Sequence, residues 1–291
     1  MNNSKIRKAI FPVGGLGTRF LPVTKAMPKE MLPVANKPLI QYAFEEAINA
    51  GIEQFIFITG RNKNVINNHF DHSYELQNIL SEQDKAKELS LTCDWMLDAG
   101  HIAFVRQQAP LGLGHAIWCA RHFIDNEPFA VLLADEMLMI KDGFLKQMCM
   151  LYQELGSNII AVTDIDPNTV SSYGIITPEY DDGKVVKIQN MVEKPKKEES
   201  TSNIAITGRY ILQPEIFDYL DGAMKGVGGE IQLTDSMQKL LAKQSFYGFR
   251  FQGPRFDCGN QLGYLECNIA YALQDPSMRL AVLDILNKYV K

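Results

Sequence analysis

The sequence predicts an α/β fold: a mostly parallel central sheet flanked by helices, a smaller β region after it, and helices at the C-terminal end. Three observations predict it. Short apolar runs of strand length alternate with amphipathic stretches from Lys8 to Thr163, the pattern of parallel strands joined by crossover helices and covered on both faces. Beyond Ser171 the runs shorten and turn signals such as Asp181-Asp182-Gly183 appear. From Leu262 to Tyr289 the pattern is helical, divided by Pro276.

The elements follow in order. Lys8–Val13 is an apolar first strand ended by Gly14-Gly15. Leu39–Ala50 is a helix, because Ile40, Phe44, Ala47 and Ile48 share one face and Gly51 can cap it. Phe55–Thr59 is a strand, and the polar, helix-prone stretch Asn64–Asp98 interrupts the pattern. Ala103–Gln107 reads as a strand, Leu113–His122 as a helix, and Phe129–Ala134 as a buried strand ending at Asp135. Phe144, Leu145, Met148, Leu151, Tyr152 and Leu155 mark a helix by their spacing, and Ile159–Thr163 is the next strand. Shorter strands follow at Gly174–Thr177, Lys184–Gln189 and Ile204–Leu212, with Lys194–Glu199 as a charged surface loop.

Composition bounds the function. A chain of 291 residues with 46% hydrophobic residues can bury a full core. No apolar run approaches the ~20 residues that cross a bilayer, and no apolar signal core precedes Gly14, so the expectation is a cytoplasmic protein with no membrane partner. Five cysteines without paired spacing (Cys93, Cys119, Cys149, Cys258 and Cys267) read as free thiols, not as a zinc site. A net charge of −5 disfavours nucleic acid as partner. Yet between Met1 and Lys37 seven basic residues face a single acid, Glu30. That imbalance suggests a local anion site, though a solvated basic face would look the same.

The loop after the first strand narrows this. Gly14, Gly15, Leu16, Gly17 and Thr18 let backbone N–H groups approach a phosphate closely. A plain tight turn would also carry such glycines. The loop is not a dinucleotide fingerprint, which needs glycine where Phe20 stands, and not a P-loop, which needs Gly-Lys-Ser/Thr where Leu21-Pro22 stand nearby. Arg19, Lys25 and Lys29 lie among Pro22, Pro28 and Pro33, which stiffen the backbone that carries the cations. Fixed cations beside a glycine loop suit a polyphosphate.

The segment GGLGTRFLPVTKAMPKEML resembles the signature of the sugar-phosphate nucleotidyltransferases, and its tail, Lys29 to Pro33, is most similar to the bacterial UTP–glucose-1-phosphate uridylyltransferase group. The resemblance runs through most of the chain. It implies a single Rossmann-like nucleotidyltransferase domain over 1–291, with a nucleotide-binding part at about 1–170, a sugar-binding part at about 171–261 and C-terminal helices over 262–291. It implies that Gln107 and Gly112 read the base, where an amide can pair with an imide edge and glycine admits a flat ring. Alone, Gln107 would read as a surface amide and Gly112 as a helix start. No catalytic role is assigned to His115.

The resemblance further implies that Asp135 holds Mg²⁺, with Asp257 completing or flanking the site. Relatives often carry two aspartates where this chain has Asp135-Glu136, so the metal is assigned to Asp135 and not to Glu136. Either aspartate alone would read as a helix cap or turn. Glu193 is implied to bind sugar hydroxyls and Lys194 the sugar phosphate, while Gly174 and Gly208 leave room for the sugar ring. The segment Gly229–Asp235 is expected to shape the pocket or its packing. The resemblance also implies a homodimer or homotetramer, for which the Leu262–Tyr289 helices are the candidate contact.

The implied reaction joins UTP and glucose 1-phosphate to give UDP-glucose and pyrophosphate by in-line attack at the α-phosphorus. A phosphate monoester has its second pKa near ~6 and needs no general base. That agrees with a chain in which no Ser-His-Asp or Cys-His arrangement stands out. Arg19 and Lys29 are expected to steady the triphosphate with Lys25 as a helper, and Lys194 to hold the attacking phosphate. The rivals are a thymidylyltransferase or another sugar-1-phosphate nucleotidyltransferase, a non-catalytic nucleotide-sugar sensor and, more remotely, a dinucleotide-dependent oxidoreductase.

Overall fold

The computed structural model of the chain describes residues 5–140 and 143–289. The first four residues of the basic N-terminal segment lie outside the described residues. The elements run β1 (Lys8–Pro12), a short hairpin of β2 (Pro33–Val34) and β3 (Lys37–Pro38), α1 (Leu39–Asn49) and β4 (Gln54–Thr59). Helices α2 (Asn64–His69), α3 (Tyr74–Glu82) and α4 (Ala86–Cys93) precede β5 (Ile102–Arg106), α5 (Leu113–Trp118), β6 (Phe129–Leu132) and β7 (Glu136–Leu138). Then come α6 (Phe144–Leu155), β8 (Asn158–Asp164), β9 (Gly174–Asp181), β10 (Val185–Glu193) and β11 (Ile204–Leu212). The chain closes with α7 (Ile216–Leu220), α8 (Leu233–Leu241), β12 (Phe246–Arg250), β13 (Arg255–Asp257), α9 (Gln261–Gln274) and α10 (Arg279–Tyr289).

Nine strands form one sheet in the order β5-β4-β1-β6-β11-β8-β12-β10-β9. β5, β4, β1 and β6 pair in parallel, as do β8 and β12, while β11, β10 and β9 join antiparallel. The shorter strands expected after Ser171 therefore extend the main sheet. β9 and β10 also run longer than their apolar cores suggested, because their ends are held by strand pairing and not by their own burial.

Both faces of the sheet are covered. Successive side chains of a strand point to opposite faces. In β1 and β4, Ala9, Phe11, Phe55 and Phe57 join one core, and Ile10, Ile56 and Ile58 join the other. The first core is aromatic, with Phe11 stacked on Phe57 at 4.8 Å and Phe44 tilted against Phe55 at 4.6 Å. Ile40, Phe44, Ala47 and Ile48 of α1 pack there, as their spacing required. Helix α5 is shorter than its pattern indicated; a 3-10 turn over Arg121–Phe123 replaces its last part. α9 ends at Gln274, two residues before Pro276. Among the described residues no helix is long and apolar enough to cross a membrane.

Candidate active site

The parallel strands β1 and β6 deliver their carboxyl ends to one place, where α/β sheets bind ligands. β1 hands over to the glycine loop, tied to β4 by Val13 N donating to Ile58 O at 2.9 Å. Gly17 takes φ +65, which glycine permits, and its carbonyl accepts from Thr24 Oγ1 at 2.7 Å. Three 3-10 turns follow, Thr18–Phe20, Val23–Lys25 and Lys29–Met31. Phe20 anchors the first, buried edge-on against Tyr264 of α9 at 5.6 Å. The segment thus wraps a cleft of about 540 Å³ lined by Gly14 to Thr18, Lys29, Glu30, Gln107, Gly112, Asp135 and Glu230, among others.

Asp135 sits in the tight turn between β6 and β7. Lys29 Nζ reaches it at 2.6 Å. Burial alone would lower the Lys29 ammonium, but the charges of Asp135 and Glu30 outweigh it and its pKa is raised. Burial would likewise raise the Asp135 carboxyl; Lys29 reverses this and holds it low. Both groups stay charged. Arg19 and Asp257 meet them at one point: a Cβ on Gly259 would stand 2.8 Å from Asp257 Oδ1, 3.1 Å from Asp135 Oδ2 and 3.5 Å from Arg19 Nη1.

Asp135 and Asp257 are the candidate metal ligands. Asp257 lies in β13, paired through Glu136 to β7, and its Oδ1 accepts the Gly259 N–H at 2.8 Å. Among the described residues no cluster of three or more His, Cys, Asp or Glu forms a ready cage. Mg²⁺ is commonly held by one or two carboxylates, with substrate phosphates and water filling the remaining positions. Two aspartates, Asp135 beside the cleft and Asp257 next to it, fit that donor set.

Glu136 does something else. It forms a bidentate pair with Arg255, at 2.8 and 2.9 Å. Burial pushes its carboxyl up, to about 7; Arg255 opposes this, and Asp135 and Asp257 reinforce it. The Arg255 guanidinium also lies 5.0 Å from the Tyr173 ring centroid, and Tyr173 O accepts the Lys194 N–H at 3.0 Å. This chain of contacts connects the aspartates to the expected sugar side. There Gly174 and Glu193 are register partners of β9 and β10, Thr234 Oγ1 donates to Glu193 Oε2 at 2.7 Å, and Lys194 Nζ stands 3.4 Å from Glu193.

One expectation is corrected. A Cβ on Gly208 would lie 2.6 Å from both Cβ and Cγ of Glu136, so this glycine makes room for Glu136 and not for a sugar ring. Lys25 is exposed on its own 3-10 turn, outside the residues that line the cleft. His115 lies in α5, within the helix expected over Leu113–His122.

Several residues of the site went unread. Glu30, with its side chain 2% exposed, pairs with Lys63 at 2.8 Å. Its position as the one acid in a basic segment was the available signal. Glu230 lines the cleft, and Ile231 zips to the base-side loop, donating to Leu111 O and accepting from Gly114 N. The segment Gly229–Asp235 therefore packs against the loop at Gly112, which takes φ +106.

Comparisons with known proteins show the family. The nucleotidyl transferase family model matches residues 8–274. The chain is 48% identical over 275 residues to the UTP–glucose-1-phosphate uridylyltransferase of Bacillus subtilis, covering 94% of each chain. Among solved structures it is similar to a UTP-bound UGPase from Acinetobacter baumannii, at 36% identity and a TM-score of 0.87, covering 97% of this chain and 98% of that one. It is also similar to a UDP-glucose pyrophosphorylase complexed with UDP-glucose, at 42% identity and a TM-score of 0.82, covering 93% of this chain and 100% of that one.

Proposed function

The chain belongs to the nucleotidyl transferase family, and on that premise we propose that it is a UTP–glucose-1-phosphate uridylyltransferase, forming UDP-glucose and pyrophosphate. The observation that carries the reading is the meeting of Arg19, Lys29, Asp135 and Asp257 beside the glycine loop. Two anions must approach each other, so positioning and charge neutralisation dominate catalysis. The Gly14–Thr18 loop cradles the triphosphate with backbone N–H groups. Arg19 and Lys29 neutralise its oxygens. Gln107 and Gly112 take the base. Glu193, with Gly174 as its partner across β9 and β10, takes sugar hydroxyls, and Lys194 holds the attacking phosphate. Asp135 and Asp257 are the residues that would hold Mg²⁺, which supplies positive charge to phosphate oxygens. No side chain is asked to remove a proton, because the nucleophile is already dianionic.

The domain division follows the same reading: nucleotide at about 1–170, sugar at about 171–261, and the helices over 262–291 for contact between subunits of a homodimer or homotetramer. Exposed Leu262, Leu265, Leu280 and Ile285 on α9 and α10 support the last assignment. Light scattering showing only monomer would refute it. The activity is tested by incubating glucose 1-phosphate with UTP, dTTP, CTP, ATP and GTP in turn and measuring pyrophosphate release. UTP is expected to give the highest kcat/KM. A preference for dTTP would move the chain to the thymidylyltransferases; tight UDP-glucose binding with no pyrophosphate release would make it a sensor.

A further inference from the structure

We propose that His115 is a positioning residue for nucleobase selection: it fixes the Gln107 side-chain amide so that only the amide's carbonyl oxygen faces the nucleotide cleft. This rests on the reading in which Gln107 contacts the base. Gln107 Nε2 stands 3.1 Å from Gly112 O and 3.0 Å from His115 Nδ1. A backbone carbonyl can only accept, so the atom facing Gly112 O is the amide nitrogen. The carbonyl oxygen then points to the glycine loop, where a Cβ on Gly14 would stand 2.9 Å from it. The amide nitrogen has two hydrogens. Gly112 takes one, and the other meets His115 Nδ1. That nitrogen must therefore carry the lone pair, which leaves the imidazole proton on Nε2.

The surroundings keep His115 in this neutral form. Burial lowers its pKa, and the charge of Arg121 lowers it further. Arg121 is held in place with its guanidinium 3.5 Å from the Trp118 ring centroid, and Trp118 in turn stacks on His115 at 5.7 Å. The Cys119 thiol also approaches Nδ1, at 3.9 Å, but a thiol is a weak donor beside an amide. Gln107 is buried, and its backbone N–H is tied to Thr59 O at 2.8 Å. Both amide hydrogens are thus consumed within the protein.

The consequence is a directional filter. The base must present an N–H to Gln107 Oε1. The imide of uracil does so at N3; cytosine presents a bare N3 lone pair there, and the two acceptors repel. Losing the His115 contact leaves Gly112 O as the one restraint on the amide, and the filter weakens.

The test compares kcat/KM for UTP and CTP, by pyrophosphate release at saturating glucose 1-phosphate, in the parent chain and in His115→Phe, His115→Asn and Gln107→Leu. A ratio of two nucleotides measured on one sample is insensitive to the fraction of protein folded. His115→Phe is expected to lower the UTP:CTP ratio about tenfold, the scale of one lost hydrogen-bond restraint, with KM for UTP moving more than kcat. His115→Asn is expected to bring the ratio back within about threefold of the parent, since Asn Oδ1 can stand where Nδ1 stood. Equal losses for both nucleotides in His115→Phe would make the residue a packing element and overturn the proposal, while a lowered ratio in Gln107→Leu kept base reading intact. An unchanged ratio in Gln107→Leu would remove the base-reading role itself and the His115 role with it.

Discussion

In the proposed mechanism, replacing Lys29 with Met removes the cation that serves both the triphosphate and Asp135. The Lys29–Asp135 pair is 2.6 Å long, with side chains 22% and 23% exposed. At an effective dielectric near 20 the gross attraction is about 6 kcal/mol, of which desolvation cancels much. Breaking a fully buried pair costs about 3–5 kcal/mol; partial exposure sets the expected loss here at about 2–3 kcal/mol, because water can still reach the orphaned Asp135. Turnover should fall further than stability explains, by about 10²–10³, the scale of losing one electrostatic contact to a reacting group. Urea unfolding followed by fluorescence measures the first quantity. Pyrophosphate release at saturating UTP and glucose 1-phosphate, under conditions where the variant is folded, measures the second. Lys29→Met combined with Asp135→Asn should recover most of the stability and none of the activity. A single variant that loses the stability but keeps kcat within about threefold of the parent would refute the reasoning, for Lys29 would then only neutralise Asp135.

Gly208→Ala forces a methyl group against Glu136 and should cost about 1–3 kcal/mol by overpacking, seen in thermal melts; a rise confined to the KM of glucose 1-phosphate, with the melting temperature unchanged, would instead restore Gly208 to the sugar pocket. Lys63→Met takes from buried Glu30 its hydrogen-bonded cation, leaving the charge of Lys29, and should cost about 3–5 kcal/mol in urea. Adding Glu30→Gln should return most of that loss, and no recovery would mean that the pair is not the source. Dialysis against EDTA should abolish turnover and Mg²⁺ should restore it. Asp135→Asn should raise the half-saturating Mg²⁺ concentration, and an unchanged Mg²⁺ dependence in both Asp135→Asn and Asp257→Asn would remove these residues from the metal site.

Much of the fold was legible because its signals are local. The spacing of Ile40, Phe44, Ala47 and Ile48 described a buried helical face whatever surrounded it, and those residues pack on the aromatic core. The apolar runs of β1, β4 and β6 could only be strands covered twice. The glycine loop and its cations could be read together, as an expected anion site, for the same reason: they lie within 25 residues of one another in the chain. Where the sequence misled, the deciding contact was remote. Gly208 looked like space for a ligand, yet the atoms that fill it belong to Glu136, 72 residues earlier. Glu136 looked like an idle substitute for a second aspartate, and Arg255 claims it from across the β7–β13 pairing.

By itself the sequence determined the α/β class, the glycine loop and the identities of the charged groups, since periodicity, glycine and charge type are properties of the chain. Only the tertiary structure decided which charges meet. Arg19, Asp135 and Asp257 come from three distant segments, and Gln107 takes its orientation from a carbonyl and an imidazole on the turn and helix that follow it. Such pairings depend on distance and direction in space, and no pattern along the chain encodes a hydrogen bond's direction.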